Sequence, residues 1–353
     1  MQWGSPSAIA KPNIGTMVAN GVKAWYTNLS GNYANSQLSY LTSPVFDMST
    51  AFGTGNPVLS FNFIRKMPVA GSDIMWVEYK DGASWIKLGA SGSGTNWYNA
   101  VASQAWDGLK AKWHVASYVI PLSSIANKSA VQFRFVFSSN ATIADEGVGI
   151  DDIHIHSFEP VWTAATSITN QKIKSTGTGT WINFSSAGGR IISIKDNGFY
   201  LDTITVNCYR NTGAVRSVNA GGLQYYLDRN WVIRTKNAPS VPITVRLYLT
   251  DAEFQALDVV DPIINDIKRM GVTKYSGANQ DNLLANNTTI GAAIFITPAS
   301  ITAVIPYCNG YILEFNVSSF SEFWVNGGTA GMNQPYRWSL SVLRQNDLAT
   351  MPS

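Results

Sequence analysis

The sequence predicts an all-β protein with an N-terminal jelly-roll β-sandwich, followed by a second β-sandwich-like domain with one or two short helices. Short runs rich in β-branched and aromatic residues recur along the chain, separated by clusters of turn-forming residues. These runs do not alternate with helical segments, which argues against a parallel α/β fold. A length of 353 residues is suited to two domains or to one large one.

The first segment contains about eight predicted strands and no clear helix, as expected of a jelly roll. In Val131–Phe137, apolar and polar residues alternate, so one face of the strand should be buried and the other wet. Lys80–Ala83 contains Asp-Gly, a strong hairpin signal between two strands. The predicted strands are Ala24–Thr27, Gln37–Thr42, Val58–Ile64, Ile74–Tyr79, Ser84–Leu88, Trp113–Ile120, Val131–Phe137 and Gly149–His156.

The second segment is also mainly β, with two helix candidates. Thr250 and Glu253 form a capping-box pattern, which predicts a short helix through Leu257. Pro262–Met270 is the other candidate, with Gly271 placed to end it. The predicted strands are Trp181–Phe184, Arg190–Lys195, Ile204–Tyr209, Leu223–Tyr226, Trp231–Arg234, Ile243–Leu249, Ala292–Ile296, Ala303–Ile305 and Tyr311–Val317.

We predict a domain boundary at the Glu159-Pro160 join. The jelly-roll domain should span residues 1–159 and the second domain residues 160–335. Residues 336–353 form a tail to which we assign no element. No internal repeat of fixed period is evident.

The charge pattern excludes several classes of partner. The chain is 13% charged, against about 25% for typical soluble domains. Its net charge of +3 is not concentrated in a basic run, so we expect no nucleic-acid binding. No stretch approaches the ~18 apolar residues that cross a bilayer, and the first residues lack the pattern of a signal peptide. We therefore expect no membrane insertion.

The motifs of common enzymes are missing from the sequence. It has three histidines and no G-x-S-x-G, HExxH or P-loop motif. Asp151 and Asp152 are adjacent in a predicted strand and should point to opposite faces, so they cannot act as an acid/base pair. We expect a protein that is not an enzyme.

Aromatic residues are the best sign of binding. Seven of the 12 tryptophans precede residue 114. Trp97, Tyr98 and Trp106 lie in the Gly/Ser/Asn-rich loop Gly89–Leu109, where exposed rings could stack on a sugar. The favoured alternative is that these rings cover the edge of the sandwich and hold the loop down.

Cys208 and Cys308 are the only cysteines. A disulfide between them is one reading, and two buried free thiols that behave as small apolar residues are the other. Their spacing does not decide between the two.

As a set, several motifs of the first segment resemble the MAM-like jelly-roll modules of large secreted Bacteroidetes proteins, many exported by the type IX system. They are also distantly similar to the cleaved-adhesin modules of gingipain-type proteases. The second segment is similar to a β-rich module found beside such jelly rolls. The residues that carry the resemblance are Gln2–Pro6, Ala24–Leu29, Gly31–Tyr33, Ser39–Asp47, Tyr79–Trp85, Asn96–Tyr98, Phe133–Phe135, Glu146–Ile153, Tyr226–Trp231, Val245–Glu253 and Phe315–Phe323.

The resemblance implies a structural Ca²⁺ near the last strand of the jelly roll. Asp152 is the preferred ligand, with Asp151 beside it and Asn32 from the loop Asn28–Asn35 as a further oxygen donor. The alternative is that an aspartate caps the strand or accepts turn hydrogen bonds. The resemblance also implies a secreted or cell-surface location, and such proteins usually continue into a sorting domain that we do not see here, so the chain could be a fragment.

These observations favour a non-catalytic binding or adhesion region that takes a glycan or a surface protein. One alternative is a structural subunit of a surface layer or filament, for which self-association is expected. Another is an accessory portion of a secreted hydrolase or peptidase.

Overall fold

The computed structural model describes residues 1–6, 11–14, 19, 21–52, 55–69, 71–165, 167–219, 223–289 and 291–328. By its internal contacts the chain divides into a first unit, Met1–Pro160 with Ile305–Tyr311, and a second unit, Val161–Val304 with the residues from Ile312 onward. Both units are built from antiparallel sheets, so the predicted all-β class is confirmed. Within the described ranges, no helix is long and apolar enough to cross a membrane.

The first unit is a jelly roll. Its five-stranded sheet has the order β1-β2-β9-β4-β7, and its four-stranded sheet has the order β3-β8-β5-β6. From β2 to β9, the two sheets share the strands in the interleaved pattern of a double Greek key. The strands are β1 Gln2–Gly4, β2 Ala24–Tyr26, β3 Leu38–Thr42, β4 Pro57–Lys66, β5 Ile74–Asp81, β6 Ser84–Lys87, β7 Leu109–Val119, β8 Gln132–Ser138 and β9 Gly147–Ser157.

The core of the first unit is unusually aromatic. Phe61 of β4 meets Phe135 of β8 across the sandwich, with ring centroids 4.9 Å apart. In β5 the residues Met75, Val77 and Tyr79 enter the same core, while the half-buried residues between them project to the other side of the sheet. The alternation of β5, which β8 follows except at the buried Val136, therefore defines a second, outward face on the four-stranded sheet.

The second unit is a sandwich of a six-stranded sheet, β10-β13-β16-β22-β18-β19, and a five-stranded sheet, β11-β12-β17-β21-β20. Trp231 of β16 donates its indole N–H to the carbonyl of Ile191 in β12, 3.0 Å away, and so links the two sheets. β14 and β15 form a separate hairpin. The strands are β10 Ile168–Lys174, β11 Trp181–Ser186, β12 Gly189–Lys195, β13 Thr203–Arg210, β14 Arg216–Asn219, β15 Leu223–Tyr226, β16 Arg229–Thr235, β17 Ile243–Thr250, β18 Gly271–Tyr275, β19 Ala293–Ile296, β20 Ala303–Tyr307, β21 Gly310–Val317 and β22 Glu322–Asn326.

Only one of the two predicted helices forms. α1 spans Asp251–Val260 and begins with the predicted capping box at Thr250. Over Pro262–Met270, the structure shows a single 3₁₀ turn at Ile267–Arg269, and Gly271 begins strand β18 instead of ending a helix. The hydrogen bonds of Asp266, which caps that turn, and the buried side chain of Ile267 hold the segment as a connection between α1 and the sheet.

Candidate functional site

The predicted aromatic loop does not offer a ligand surface. Trp97, Tyr98 and Trp106 are between 0 and 4% exposed and belong to the core of the jelly roll. Their polar atoms are used internally, since the Trp97 indole N–H and the Tyr98 hydroxyl both donate to the carbonyl of Leu88. The prediction of sugar stacking by these three residues is therefore wrong, because rings inside the sandwich cannot reach a ligand.

Asp152 and Ile153 form a β-bulge in β9, directly after Asp151. Pairing with β4 shifts register between Ser60 and Asn62, and Asp152 takes a left-handed backbone conformation with φ 50°. The backbone N–H of Asp152 donates to Asp151 Oδ1 at 3.0 Å, and Asn62 Nδ2 donates to Asp152 Oδ2 at 2.9 Å. The expectation that the two side chains simply alternate across a strand is wrong, because the bulge adds a residue between paired positions.

The bulge changes which residues of β9 face inward. Before it, Val148 and Ile150 belong to the buried core, whereas after it Ile153 and Ile155 line an apolar cleft. The inward positions thus switch from even to odd residue numbers. This switch is visible in the sequence as an Asp-Asp insertion in an otherwise alternating apolar pattern.

The predicted calcium ligands do not share one site. Asn32 Nδ2 donates to the carbonyl of Ala144, which lies before β9 begins. Asp151 lies on the order of 10 Å or more further along that strand, at ~3.3 Å per residue. Within the described residues, no group of three or more His, Cys, Asp or Glu side chains could hold a metal. Asp152, Asp151 and Asn32 therefore do not fit a common ion.

The Lys11 side chain places a positive charge next to the loop Asn28–Asn35, from which a calcium ligand was predicted. The Lys11 ammonium is buried and donates to the carbonyls of Gly31, at 2.9 Å, and of Glu146. Burial lowers the pKa of Lys11 to about 8, against the attraction of Glu146 and Asp145. The carbonyls of Gly31 and Glu146, which could have faced a bound cation, therefore accept hydrogen bonds from Lys11 instead.

The two cysteines are separate, buried thiols, so the disulfide reading is wrong. Cys208 lies in β13 of the second unit and Cys308 in the turn assigned to the first unit. Burial raises the pKa of Cys208 to about 12 and that of Cys308 to about 11, so both remain protonated near neutral pH.

Burial lowers the pKa of His114 and of His156 and so favours their neutral forms. His114 is buried beside Arg65, and burial first and the guanidinium second lower its pKa to about 3. His156 Nε2 lies 3.1 Å from the hydroxyl of Ser60 on the same sheet. Each of these two neutral histidines makes hydrogen bonds to neighbouring groups of the protein.

The outward face of the four-stranded sheet carries a continuous group of aromatic and charged side chains, here called the aromatic belt: Tyr40, Trp76, Glu78, Trp85 and Arg134. Cross-strand pairing sets Glu78 opposite Arg134 and opposite Lys87. Because directly opposed residues of a sheet share a face, the belt runs across all four strands from β3 to β6.

Arg134 joins the members of the belt. Its guanidinium carbon lies 4.2 Å from the ring centroid of Trp85 and 4.5 Å from that of Tyr40. Its Nε donates to Glu78 Oε2 at 2.6 Å, and Trp76 Nε1 donates to Glu78 Oε1 at 2.7 Å. These contacts fix the ring positions before any ligand arrives. Tyr40 is 44% exposed and the rings of Trp76 and Trp85 are half-buried, so the belt is partly accessible to solvent.

Sequence reasoning missed this belt, although its signal was present. In β5, Trp76, Glu78 and Lys80 alternate with the buried Met75, Val77 and Tyr79. An aromatic residue at a polar position of an alternating strand projects away from the core. The tryptophans of the Gly-rich loop do not lie in an alternating pattern, so their direction does not follow from the sequence in this way.

An apolar cleft of about 500 Å³ opens at one side of the jelly roll. It lies beside β3 and between the inner faces of the two sheets. The lining is mainly apolar, with Asp47 as its one charged residue: Trp25, Leu41, Thr42, Ser43, Pro44, Phe46, Asp47, Met48, Ala51, Phe52, Leu59, Phe133, Phe135, Ile153 and Ile155.

No protein-family model matches the chain, and no curated protein matches it. Among solved structures, the chain is similar to the tandem CBM51 modules of Sp3GH98, the family 98 glycoside hydrolase from Streptococcus pneumoniae. That similarity has 10% sequence identity over 94% of each chain and a TM-score of 0.19. A likeness at this level supports no statement about the fold or the activity of this chain.

Proposed function

We propose that this protein is a non-catalytic binding or adhesion region, secreted or displayed at a cell surface, whose jelly roll binds a glycan through the aromatic belt. The observation that carries the proposal is the belt's composition. The belt combines aromatic rings with a carboxylate and a guanidinium group that are hydrogen-bonded to each other. A sugar requires both an apolar and a polar surface. The rings contact its C–H faces and the charged groups contact its hydroxyls.

The preorganisation of the belt supports this proposal. Glu78 and Arg134 are only 13% and 21% exposed in their side chains, and each is held by the other. A ligand that hydrogen-bonds to such a pair does not have to immobilise long side chains, so less affinity is lost to ordering. The edge strand β6 and the edge strand β3 place Trp85 and Tyr40 on the flanks of this charged pair.

A glycan array tests the proposal. Wild-type protein should bind at least one class of glycan above background, and Tyr40→Ala and Trp85→Ala should each lose about tenfold or more of that signal. Tyr200→Ala is the matched control, because Tyr200 is similarly exposed at 41% but lies in the second unit. Equal loss in the control, or no glycan signal at all, would contradict the proposal.

A further inference from the structure

The outward face of the four-stranded sheet carries more positive than negative charge. Among the outward-facing residues of its four strands, all of which the structure describes, the charged ones are Glu78, Lys80, Lys87 and Arg134. Lys80 lies two residues after Glu78 in β5, and Lys87 lies opposite Glu78 in β6. Both lysines therefore share the face of the aromatic belt, where three cations accompany a single carboxylate.

The Glu78 carboxylate is already engaged by the protein. Its Oε2 accepts from Arg134 Nε at 2.6 Å, and its Oε1 accepts from Trp76 Nε1 at 2.7 Å. The ion pair with Arg134 balances its charge. Lys80 and Lys87 therefore leave the face with an excess of positive charge.

The cations of this face still have N–H groups to donate. Within the part of the chain that the structure describes, Arg134 Nη1 and Nη2 make no hydrogen bond to the protein, and neither atom is shut off from solvent. Lys80 Nζ has no hydrogen-bond or ion-pair partner among the same residues. Lys87 Nζ donates to the carbonyl of Ser103 at 2.9 Å, which uses one of its three N–H groups. A ligand with several acceptor oxygens would satisfy these donors.

The free donors lie beside the tryptophan rings of the belt. Arg134 Cζ is 4.2 Å from the ring centroid of Trp85, and Lys80 Nζ is 6.0 Å from the same centroid. Lys87 Nζ is 4.9 Å from the ring centroid of Trp76. A saccharide that contacts either indole therefore has a cation within reach of a substituent on its own ring.

We infer that the aromatic belt, together with Lys80 and Lys87, selects a glycan that carries carboxylate or sulfate groups over a neutral glycan. This inference rests on the proposed function, because it names the class of glycan that the same site takes. Ionised carboxylate and sulfate groups accept hydrogen bonds and donate none, which suits a face with free N–H donors and an engaged carboxylate. Hydrogen bonds between ionised groups are also stronger than neutral ones, so the cations provide the selectivity.

The glycan array tests the inference when it is read in pairs that share a backbone and differ only in a carboxylate or a sulfate group. The wild type should bind the charged member of a pair about tenfold or more strongly than the neutral member. Lys80→Gln combined with Lys87→Gln removes the excess charge, leaves the belt in place and should abolish most of this preference. Carboxylate pairs and sulfate pairs, read separately, show which of the two groups is bound.

Lys110→Gln combined with Lys112→Gln is the matched control. These two lysines are half-buried, as Lys80 and Lys87 are, but they lie in β7 of the opposing sheet. The control should keep the preference of the wild type. Salt gives a second measurement that needs no variant: binding of the charged glycan should weaken severalfold between about 50 and about 500 mM NaCl, and binding of the neutral glycan should not.

Equal binding of charged and neutral glycans would overturn the inference. If Trp85→Ala still lost that binding, the proposed function would stand without the inference. A preference that survives in the Lys80/Lys87 variant, or that the control loses equally, would also overturn it, because cations elsewhere would then be responsible. Binding of no glycan at all would contradict both the inference and the proposed function.

Discussion

At the residue scale, the position of an aromatic ring relative to the sheet decides its role in this protein. Trp97 is 1% exposed and packs on Trp106 with ring centroids 5.0 Å apart, while Tyr40 lies on the outward face and contacts Arg134. Both lie in the same unit. Trp97 should therefore contribute to stability and not to binding, and Tyr40 to binding and not to stability.

Replacing a core ring should destabilise the protein, whereas replacing a belt ring should not. Trp97→Ala leaves a cavity in the aromatic core, which should cost about 3–5 kcal/mol in the free energy of unfolding. Tyr40→Ala removes a half-exposed ring and should cost less than about 1 kcal/mol. Urea unfolding of both variants measures the difference. A Tyr40→Ala variant as unstable as Trp97→Ala would mean that the belt serves to hold the fold.

Glu322 in β22 is a buried carboxyl group whose charge opposes folding. It is fully buried, and it accepts from Asn230 Nδ2 at 2.8 Å and from Asn287 Nδ2 at 2.7 Å. Burial raises its pKa to about 7. Between pH 4.5 and 7 the folded state therefore binds more protons than the unfolded state, so this group lowers stability as the pH rises through that range.

Glu322→Gln should remove that pH dependence. At pH 8 the variant should be more stable than the wild type by up to about 3 kcal/mol, and near pH 4.5 the two should differ little. Urea unfolding at a series of pH values from 4.5 to 8 gives both curves. Two parallel curves would show that Glu322 does not carry the effect.

At the element scale, α1 is attached to the second sandwich by its own N-terminal cap. Glu253 completes the capping box with Thr250 and also meets Arg229 in the core, where Arg229 Nη2 lies 3.0 Å from both carboxylate oxygens. Burial alone would raise the pKa of Glu253, but Arg229 and the backbone N–H of Thr250 outweigh it and hold the pKa below its usual value. One carboxylate thus begins the helix and neutralises a buried arginine.

Removing the Glu253 carboxylate should lower the free energy of unfolding more than removing the Thr250 hydroxyl. Glu253→Gln leaves the Arg229 charge buried without its counter-ion and should lose about 3–5 kcal/mol. Thr250→Ala should lose about 1 kcal/mol, similar to the helix-weakening control Ala256→Gly. Chemical unfolding of the three variants ranks them. Equal losses for Glu253→Gln and Thr250→Ala would show that the ion pair adds nothing to the cap.

The secondary-structure elements also show which features local sequence patterns can predict. The strand predicted at Val131–Phe137 and the local capping box at Thr250 are confirmed, because neighbouring residues alone determine them, although Val136 on the predicted wet face is buried. Pro262–Met270 was not, because hydrogen bonds to Asp266 and burial of Ile267 override its helix signals. The aromatic belt combines residues from four strands, so only the sheet order, which the sequence does not state, brings its members together.

At the scale of the whole molecule, the first unit is held together by an aromatic core and by polar contacts that include a buried lysine. The three predicted calcium ligands do not converge, and the Lys11 ammonium satisfies carbonyls of Gly31 and Glu146. We therefore expect the stability of the first unit not to depend on a divalent cation.

Thermal unfolding with and without Ca²⁺ and EDTA tests this expectation. An ion bound only to the folded state would raise stability by roughly 2.7 kcal/mol at one hundred times its Kd. We expect the melting temperature to be the same in both conditions and to fall in Lys11→Ala, which loses the buried ammonium. A melting temperature that falls in EDTA would show that the protein holds a stabilising ion after all.

Calorimetric titration shows whether the outward face of the four-stranded sheet binds the ligand. Wild type, Trp85→Ala and Tyr200→Ala are each titrated with a glycan that binds on the array. We expect a Kd at least tenfold weaker for Trp85→Ala and an unchanged Kd for Tyr200→Ala, with all three proteins equally folded. An unchanged Kd for Trp85→Ala would contradict binding at the aromatic belt and place it on another surface.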